Sequence, residues 1–286
     1  MHRLRNTLQI LIEDEWMPSA AFRRVPNVSE PSIRRRARAA CIVVAAALQV
    51  GCATLLPAPT PMRTIEYSSP LQPAKCLFVL LPGAGDRAER FRKQGFVEDL
   101  QNRKLSIDIR AVDATMGYYV KDTLVDRLEA DIITPAKTRG YQEIWLVGPS
   151  MGGLGSLLYS RMHSAEVAGV LAIAPFLGDK DLIEEIAEAG ELKHWQAPPR
   201  VGAMTRDNYQ RELWRWLQAV TQGREAAPQI FLGYGTSDRL SRADALLAGA
   251  LPTSRVFLTT GGHEWPVWRR VLASFLQSPE FAAHCR

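Results

Sequence analysis

Gly148-Pro149-Ser150-Met151-Gly152 directly follows the apolar run Glu143 to Val147. The pattern G-x-S-x-G sets one hydroxyl between two residues without side chains. Glycine two positions to either side of a serine removes the atoms that would collide in a sharp strand-to-helix turn. The next amide, that of Met151, then opens a helix, where an N–H can face an oxyanion formed beside the serine. A serine hydroxyl becomes a nucleophile only when a base takes its proton and an acid orients that base. Both occur further along, in that functional order: Asp238 in "TSDRL" after the run "PQIFLGYG", and His263 in "GGHEWPVW" after the run "RVFLTT". The chemistry expected of this set is acyl transfer through a covalent ester on Ser150. The plainer alternative is a glycine-rich turn in which Ser150 only starts a helix.

Competition for each role is limited. The chain has five histidines. His2 precedes a leader-like segment, His163 ends a helical stretch, His194 falls in an insertion and His284 is nearly terminal, so His263 is the expected base. For the acid, Asp238 is preferred to Asp244, which sits in the first turn of an expected helix where a favourable helix-end charge accounts for it. A second oxyanion donor is expected from "PGAGD" (82–86), after the run "CLFVLL". The Ala84 amide is preferred and the Gly85 amide comes next; otherwise the segment is a tight turn with Asp86 capping the helix that follows. "GGHEWPV" lacks the second histidine of a zinc helix and no C-x-x-C pair occurs, so neither a metal nor another cofactor is expected.

The elements that must position these residues show in the hydropathy pattern. "CLFVLL" (76–81), "SIDIRAVDA" (106–114), "EIWLVG" (143–148), "VAGVLAIAP" (167–175), "PQIFLGYG" (228–235) and "RVFLTT" (255–260) read as strands, most of them continuously apolar as strands covered on both faces are. "MRTIEYSS" (62–69) can supply one more. Helical spacing marks "RAERFRKQGFVEDLQN", "YVKDTLVDRLEADIITPAK", "GGLGSLLYSRMHS" and "SRADALLAGAL". Such alternation implies a mostly parallel sheet flanked by helices. The interval of roughly fifty residues between Pro175 and Gln229 is too long for a plain crossover. "DLIEEIAEAGELKHW" and "RDNYQRELWRWLQAV" within it read as two helices of a small cap insertion at about 178–228. Trp195, Trp214 and Trp216 in that insertion either line an acyl or glycan pocket or, as large apolar groups more often do, fill a core. Trp265 and Trp268 are expected to pack the last helix.

The chain has 286 residues, 47% of them hydrophobic and 23% charged, which excludes disorder and suits one sizeable core. Its net charge of +5 does not indicate a nucleic-acid partner, because eight arginines against four acidic residues place nearly all the excess in residues 1–52. There "RRRAR" (34–38) precedes the apolar "AACIVVAAALQV" and then "GCATLLPAPTP", the three parts of a secretory signal. Cys52 after "VG" resembles the lipidated first residue of a bacterial lipoprotein, although Gln49 stands where leucine is usual. Cleavage after Ala53, or an uncleaved anchor over 39–56, are the alternatives. Because residues 1–33 are long for the start of a signal, translation from Val25 or Val28 is also considered. The expected organisation is a basic extension and signal at 1–52, a proline-rich linker with a possible first strand at 53–75, and the main domain at 76–286. The expected location is the periplasm, with membrane attachment through the lipid. In that oxidising compartment Cys76 and Cys285 could pair; otherwise Cys76 is buried and Cys285 is a free terminal thiol.

From Cys76 onward, "LLPGAGDRAERF", "LVGPSMGGLGSLLYSR", "APFLGD", "GYGTSDRL" and "GGHEWPVWRR" make the sequence resemble a bacterial α/β hydrolase, of an exported serine-hydrolase and lipoprotein group. "GGHEWPVW" is also similar to the histidine segment of esterase D and mycolyltransferase-like enzymes. The resemblance puts Ser150, Asp238 and His263 at the triad positions and implies a serine esterase acting on a small-molecule ester. It leaves two others open: an acyltransferase with the same triad, and a noncatalytic envelope binding protein that keeps the fold.

Overall fold

Seven strands form one sheet in the order β1-β3-β2-β4-β5-β6-β7, taking β1 as Thr64–Tyr67, β2 as Cys76–Leu80, β3 as Ile107–Val112, β4 as Glu143–Pro149, β5 as Gly169–Ile173, β6 as Gln229–Gly235 and β7 as Val256–Thr259. The computed structural model describes residues 56–103, 105–199 and 204–285. The basic extension, the apolar leader and Cys52 lie outside the described residues. All seven strands belong to the unit Ala58–Arg286. Among the described residues no helix is long and apolar enough to cross a membrane.

Every residue of β2 and β5 is buried. Successive side chains of a strand point to opposite faces, so these strands are covered on both sides, as their unbroken apolar runs require. The edge strands β1 and β7 are only partly buried. All neighbours are parallel except β1, the strand expected from "MRTIEYSS", which runs antiparallel to β3 with Ile65 opposite Ala111.

The helices are α1 (Glu89–Lys93), α2 (Phe96–Gln101), α3 (Met116–Val120), α4 (Leu124–Leu128), α5 (Thr134–Thr138), α6 (Met151–Met162), α7 (Lys180–Glu188), α8 (Tyr209–Thr221), α9 (Ser241–Ala248) and α10 (Trp265–Gln277). Two stretches that read as single helices are divided. "RAERFRKQGFVEDLQN" breaks into α1 and α2 at Gly95, whose φ of 81° is left-handed and turns the chain. "YVKDTLVDRLEADIITPAK" is interrupted at Asp122 (φ 57°), and a π turn at Glu129–Ile133 then joins α4 to α5. Periodicity carries across both breaks because the apolar face continues through them.

Between β5 and β6 lie α7, a short 3₁₀ turn at Leu192–His194, and α8. The expected helix 181–195 therefore ends early. The insertion rests on the body through α8 against α6 and α7 against α9. Glu212 on α8 is buried, with Arg215 3.0 Å and Arg161 of α6 3.8 Å from its carboxylate. Trp195, Trp214 and Trp216 are all buried. The Trp214 indole donates to the Leu177 carbonyl at 2.8 Å and that of Trp195 to Glu185 at 3.0 Å. Of the two readings of these tryptophans, core packing is the one realised.

The C-terminus returns to the start of β2. Phe281 packs edge-on against Phe78 and Trp145 and tilted against Phe275, with ring centroids 5.7, 5.3 and 4.5 Å away. Beyond it Cys285 forms a disulfide with Cys76, their Cα atoms 5.3 Å apart across 209 residues of sequence. Closing so long a loop removes much of the unfolded chain's freedom; a native bond of this kind contributes about 2–5 kcal/mol. Urea unfolding checks the consequence: reductant should lower the wild-type midpoint, and Cys285→Ser should sit at that lower midpoint whether or not reductant is present.

Candidate active site

The parallel register sets the stage. Pro149 pairs with Ile173, Ile173 with Gly233, and Gly235 with Thr259, so β4, β5, β6 and β7 end along one edge. β2 lies between β3 and β4. The chain leaves β2 for β3 on one side and later places β4 on the other, and such a switch opens a crevice at the strand ends. The segment after β2 (82–86) and the turn after β4 (Ser150) both fall there.

Ser150 has φ 53° and ψ −119°, a conformation that costs a non-glycine residue roughly 1–3 kcal/mol. Its surroundings enforce it. The Ser150 amide donates to Ile173 O at 2.9 Å, while its carbonyl accepts from Leu154 at 3.1 Å and Phe176 at 3.2 Å. The flanking glycines have a measurable reason. A β-carbon on Gly152 would sit 1.9 Å from Leu81 O, and one on Gly148 would sit 2.4 Å from the Gly152 carbonyl carbon. Helix α6 starts at Met151, immediately after the serine, and the Tyr119 hydroxyl donates to Met151 O at 2.7 Å. Ser150 itself is buried.

Asp238 and His263 are brought together. His263 Nδ1 lies 3.0 and 2.9 Å from the two Asp238 carboxylate oxygens, and the Leu240 amide donates to Asp238 Oδ1 at 2.8 Å. The two loops are stitched by backbone: Thr236 N donates to Thr259 O at 2.8 Å and Ser237 N to Gly261 O at 2.9 Å. The Trp268 ring meets the His263 ring edge-on at 4.9 Å, a contact that their i, i+5 spacing does not announce. Ser150 and His263 form no hydrogen bond with each other.

The segment 82–86 reaches the serine, since a β-carbon on Gly83 would lie 3.5 Å from Ser150 Cβ. Ala84, the expected second oxyanion donor, is one residue beyond. Asp86 does not cap α1, whose N-terminus has no side-chain cap. Its carboxylate instead accepts from the Trp265 indole at 3.0 Å. For metals, Cys76, Glu143 and Cys285 bring ligand atoms within 4.8 Å of one another, but both sulfurs are already bonded in the disulfide.

Asp244 stands in the first turn of α9, as its place in the sequence implies, but inside the fold and not on its surface. It is fully buried, and among the described residues neither carboxyl oxygen has a hydrogen-bond partner. Burial first, and the nearby Asp238 charge second, push its carboxyl well above the usual range.

No known family profile matches the chain, and no curated protein matches it in sequence. Solved structures do. Est1E from Butyrivibrio proteoclasticus is 18% identical, covers 78% of this chain and 97% of its own, and superposes with a TM-score of 0.50. The S-formylglutathione hydrolase from Agrobacterium tumefaciens is 13% identical, covers 79% of this chain and 90% of its own, also with a TM-score of 0.50. At such identities the likeness is one of fold. The mostly parallel sheet, its flanking helices and a serine on the turn after a central strand define the α/β-hydrolase fold.

A carboxyl that is neutral when folded and ionised when unfolded makes stability fall as pH rises from its unfolded pKa, about 3.9, toward its raised folded value. Below the unfolded pKa the contribution is intact. Asp244→Asn removes that titration without changing shape. Urea unfolding from pH 4 upward should show the variant gaining on the wild type by about 1.4 kcal/mol per pH unit until Asp244 ionises in the fold. Parallel stability profiles would mean that Asp244 is already charged.

Proposed function

We propose that this protein is a serine hydrolase that cleaves carboxylic esters through an acyl-enzyme on Ser150. The observation that carries the reading is the Asp238–His263 contact at 2.9–3.0 Å on the strand edge that also holds the strained Ser150. Ser150 Oγ attacks the ester carbonyl while His263 Nε2 takes its proton and then delivers it to the departing alcohol. Water then attacks the acyl carbon as the same nitrogen takes its proton, and that proton passes to Ser150 Oγ as the acid is released. Asp238, on Nδ1, selects the tautomer with a free Nε2 lone pair and stabilises the imidazolium as it forms. The amides of Met151 and Ala84 hold the oxyanion; a donor of this kind is worth roughly 3–4 kcal/mol in the transition state. The similar structures include a hydrolase by name, which agrees with the reading.

The same proposal includes export, with Cys52 as lipid attachment point and the domain held at the periplasmic membrane face. The Cys76–Cys285 disulfide supports an oxidising compartment.

Assay of wild type and Ser150→Ala on short, medium and long p-nitrophenyl esters tests the chemistry. Turnover should fall about a millionfold in the variant, to background. A fluorophosphonate should label Ser150 in the wild type alone. Equal turnover and no labelling would assign the fold to noncatalytic binding. Esters of an added acceptor alcohol, formed faster than free acid, would assign acyl transfer to alcohols instead of water.

A further inference from the structure

Trp265 stands where the two halves of the site meet. It is the first residue of α10, two positions after His263, and its ring is buried. Edge-on contacts surround the ring: Phe91 at 5.4 Å, Phe96 at 5.3 Å and Trp268 at 5.1 Å between centroids. Phe91 and Phe96 belong to α1 and α2, which continue from the segment 82–86. Trp268 is the residue whose ring meets His263.

The hydrogen bond adds direction to this packing. Trp265 Nε1 donates to Asp86 Oδ2 at 3.0 Å across 179 residues of sequence. Asp86 closes the turn that carries Ala84: its amide donates to Gly83 O at 3.2 Å, and Gly85 between them has a left-handed φ of 80°. On the other side of the carboxylate, Arg90 Nε lies 3.5 Å from Oδ1. One carboxylate thus ties the turn to α10, and one indole ties α10 to both the turn and, through Trp268, the histidine.

We infer that Asp86 and Trp265 are positioning residues that hold the turn bearing Ala84 in register with His263, so that oxyanion donor and base meet one substrate together. The inference rests on the esterase reading of the same site. Neither residue touches the reacting atoms. Their effect is on the geometry of the transition state, so it belongs in kcat, because a misplacement of about 1 Å typically costs up to about a hundredfold in rate. A purely structural role would instead lower the amount of folded protein and leave each folded molecule equally fast.

The test uses the full chain, with p-nitrophenyl butyrate as substrate and fluorophosphonate titration to count competent sites. Trp265→Phe keeps a ring among Phe91, Phe96 and Trp268 and deletes only the donor. Asp86→Ala deletes the acceptor, and Asp86→Asn retains an oxygen that can accept. Per titrated site, Trp265→Phe and Asp86→Ala should each lower kcat by roughly 10- to 100-fold with KM within about twofold. The double variant should be no slower than the slower single one, because both remove the same bond. Asp86→Asn should recover most of the loss. Wild-type kcat per site in either deletion, losses that multiply in the double variant, or an Asp86→Asn as slow as Asp86→Ala would each overturn the inference while the esterase reading stands. A wild type inert to both ester and fluorophosphonate would overturn the esterase reading itself. Should Asp86→Ala yield no folded protein, Trp265→Phe and Asp86→Asn decide the matter by the same criteria.

Discussion

The start of α6 lies so close to the backbone of Leu81 that residue 152 has no room for a side chain. From that one approach the arrangement of the site follows. The helix can begin only where two glycines let its first turn slide between β4 and the exit of β2, and the residue at the tip, Ser150, must accept a backbone conformation that other positions avoid. The strain is held by hydrogen bonds to β5 and to the segment beyond it, so the burial of the central strands supports it. A looser turn would free the serine from strain and would also separate its amide neighbour from the segment after β2.

The remaining partners are set by a second constraint, the parallel register. Strand ends that fall within about two residues of one another bring loops far apart in sequence onto one edge, and backbone bonds join the loops after β6 and β7 that carry Asp238 and His263. The burial that gives this pair its electrostatic strength has a cost nearby. Asp244 lies buried six residues on with no hydrogen-bond partner among the described residues, and burial pushes its carboxyl well above the usual range. Two aspartates six residues apart thus meet different surroundings: Asp238 has a histidine and a backbone amide, and among the described residues the Asp244 carboxylate has neither.

Around this site the chain is closed by conventional means. The insertion between β5 and β6 is anchored by buried tryptophans and by Glu212 between two arginines. The C-terminal segment is fastened over the bottom of the sheet by an aromatic cluster and the disulfide. The disulfide is therefore remote in kind from the chemistry: it acts on the unfolded chain's freedom, whereas the site depends on distances in the folded one.

The sequence alone determined what period, spacing and residue type can express. Runs of Val, Ile and Leu marked six strands, G-x-S-x-G marked the elbow, and the order of serine, acid and histidine after strand ends marked three side chains, because each of these is a local signal along the chain. It expressed the breaks in the helices poorly, since Gly95 and Asp122 interrupt the backbone without interrupting the apolar face. Only the tertiary structure decided the rest: that Cys285 reaches Cys76, that the insertion's tryptophans pack inward, that Asp244 is buried without a partner, and that Asp86 accepts from Trp265 and does not cap a helix. Each of these is a contact or an environment created by residues distant in sequence, and a side chain's burial and partners exist only once the strands have paired.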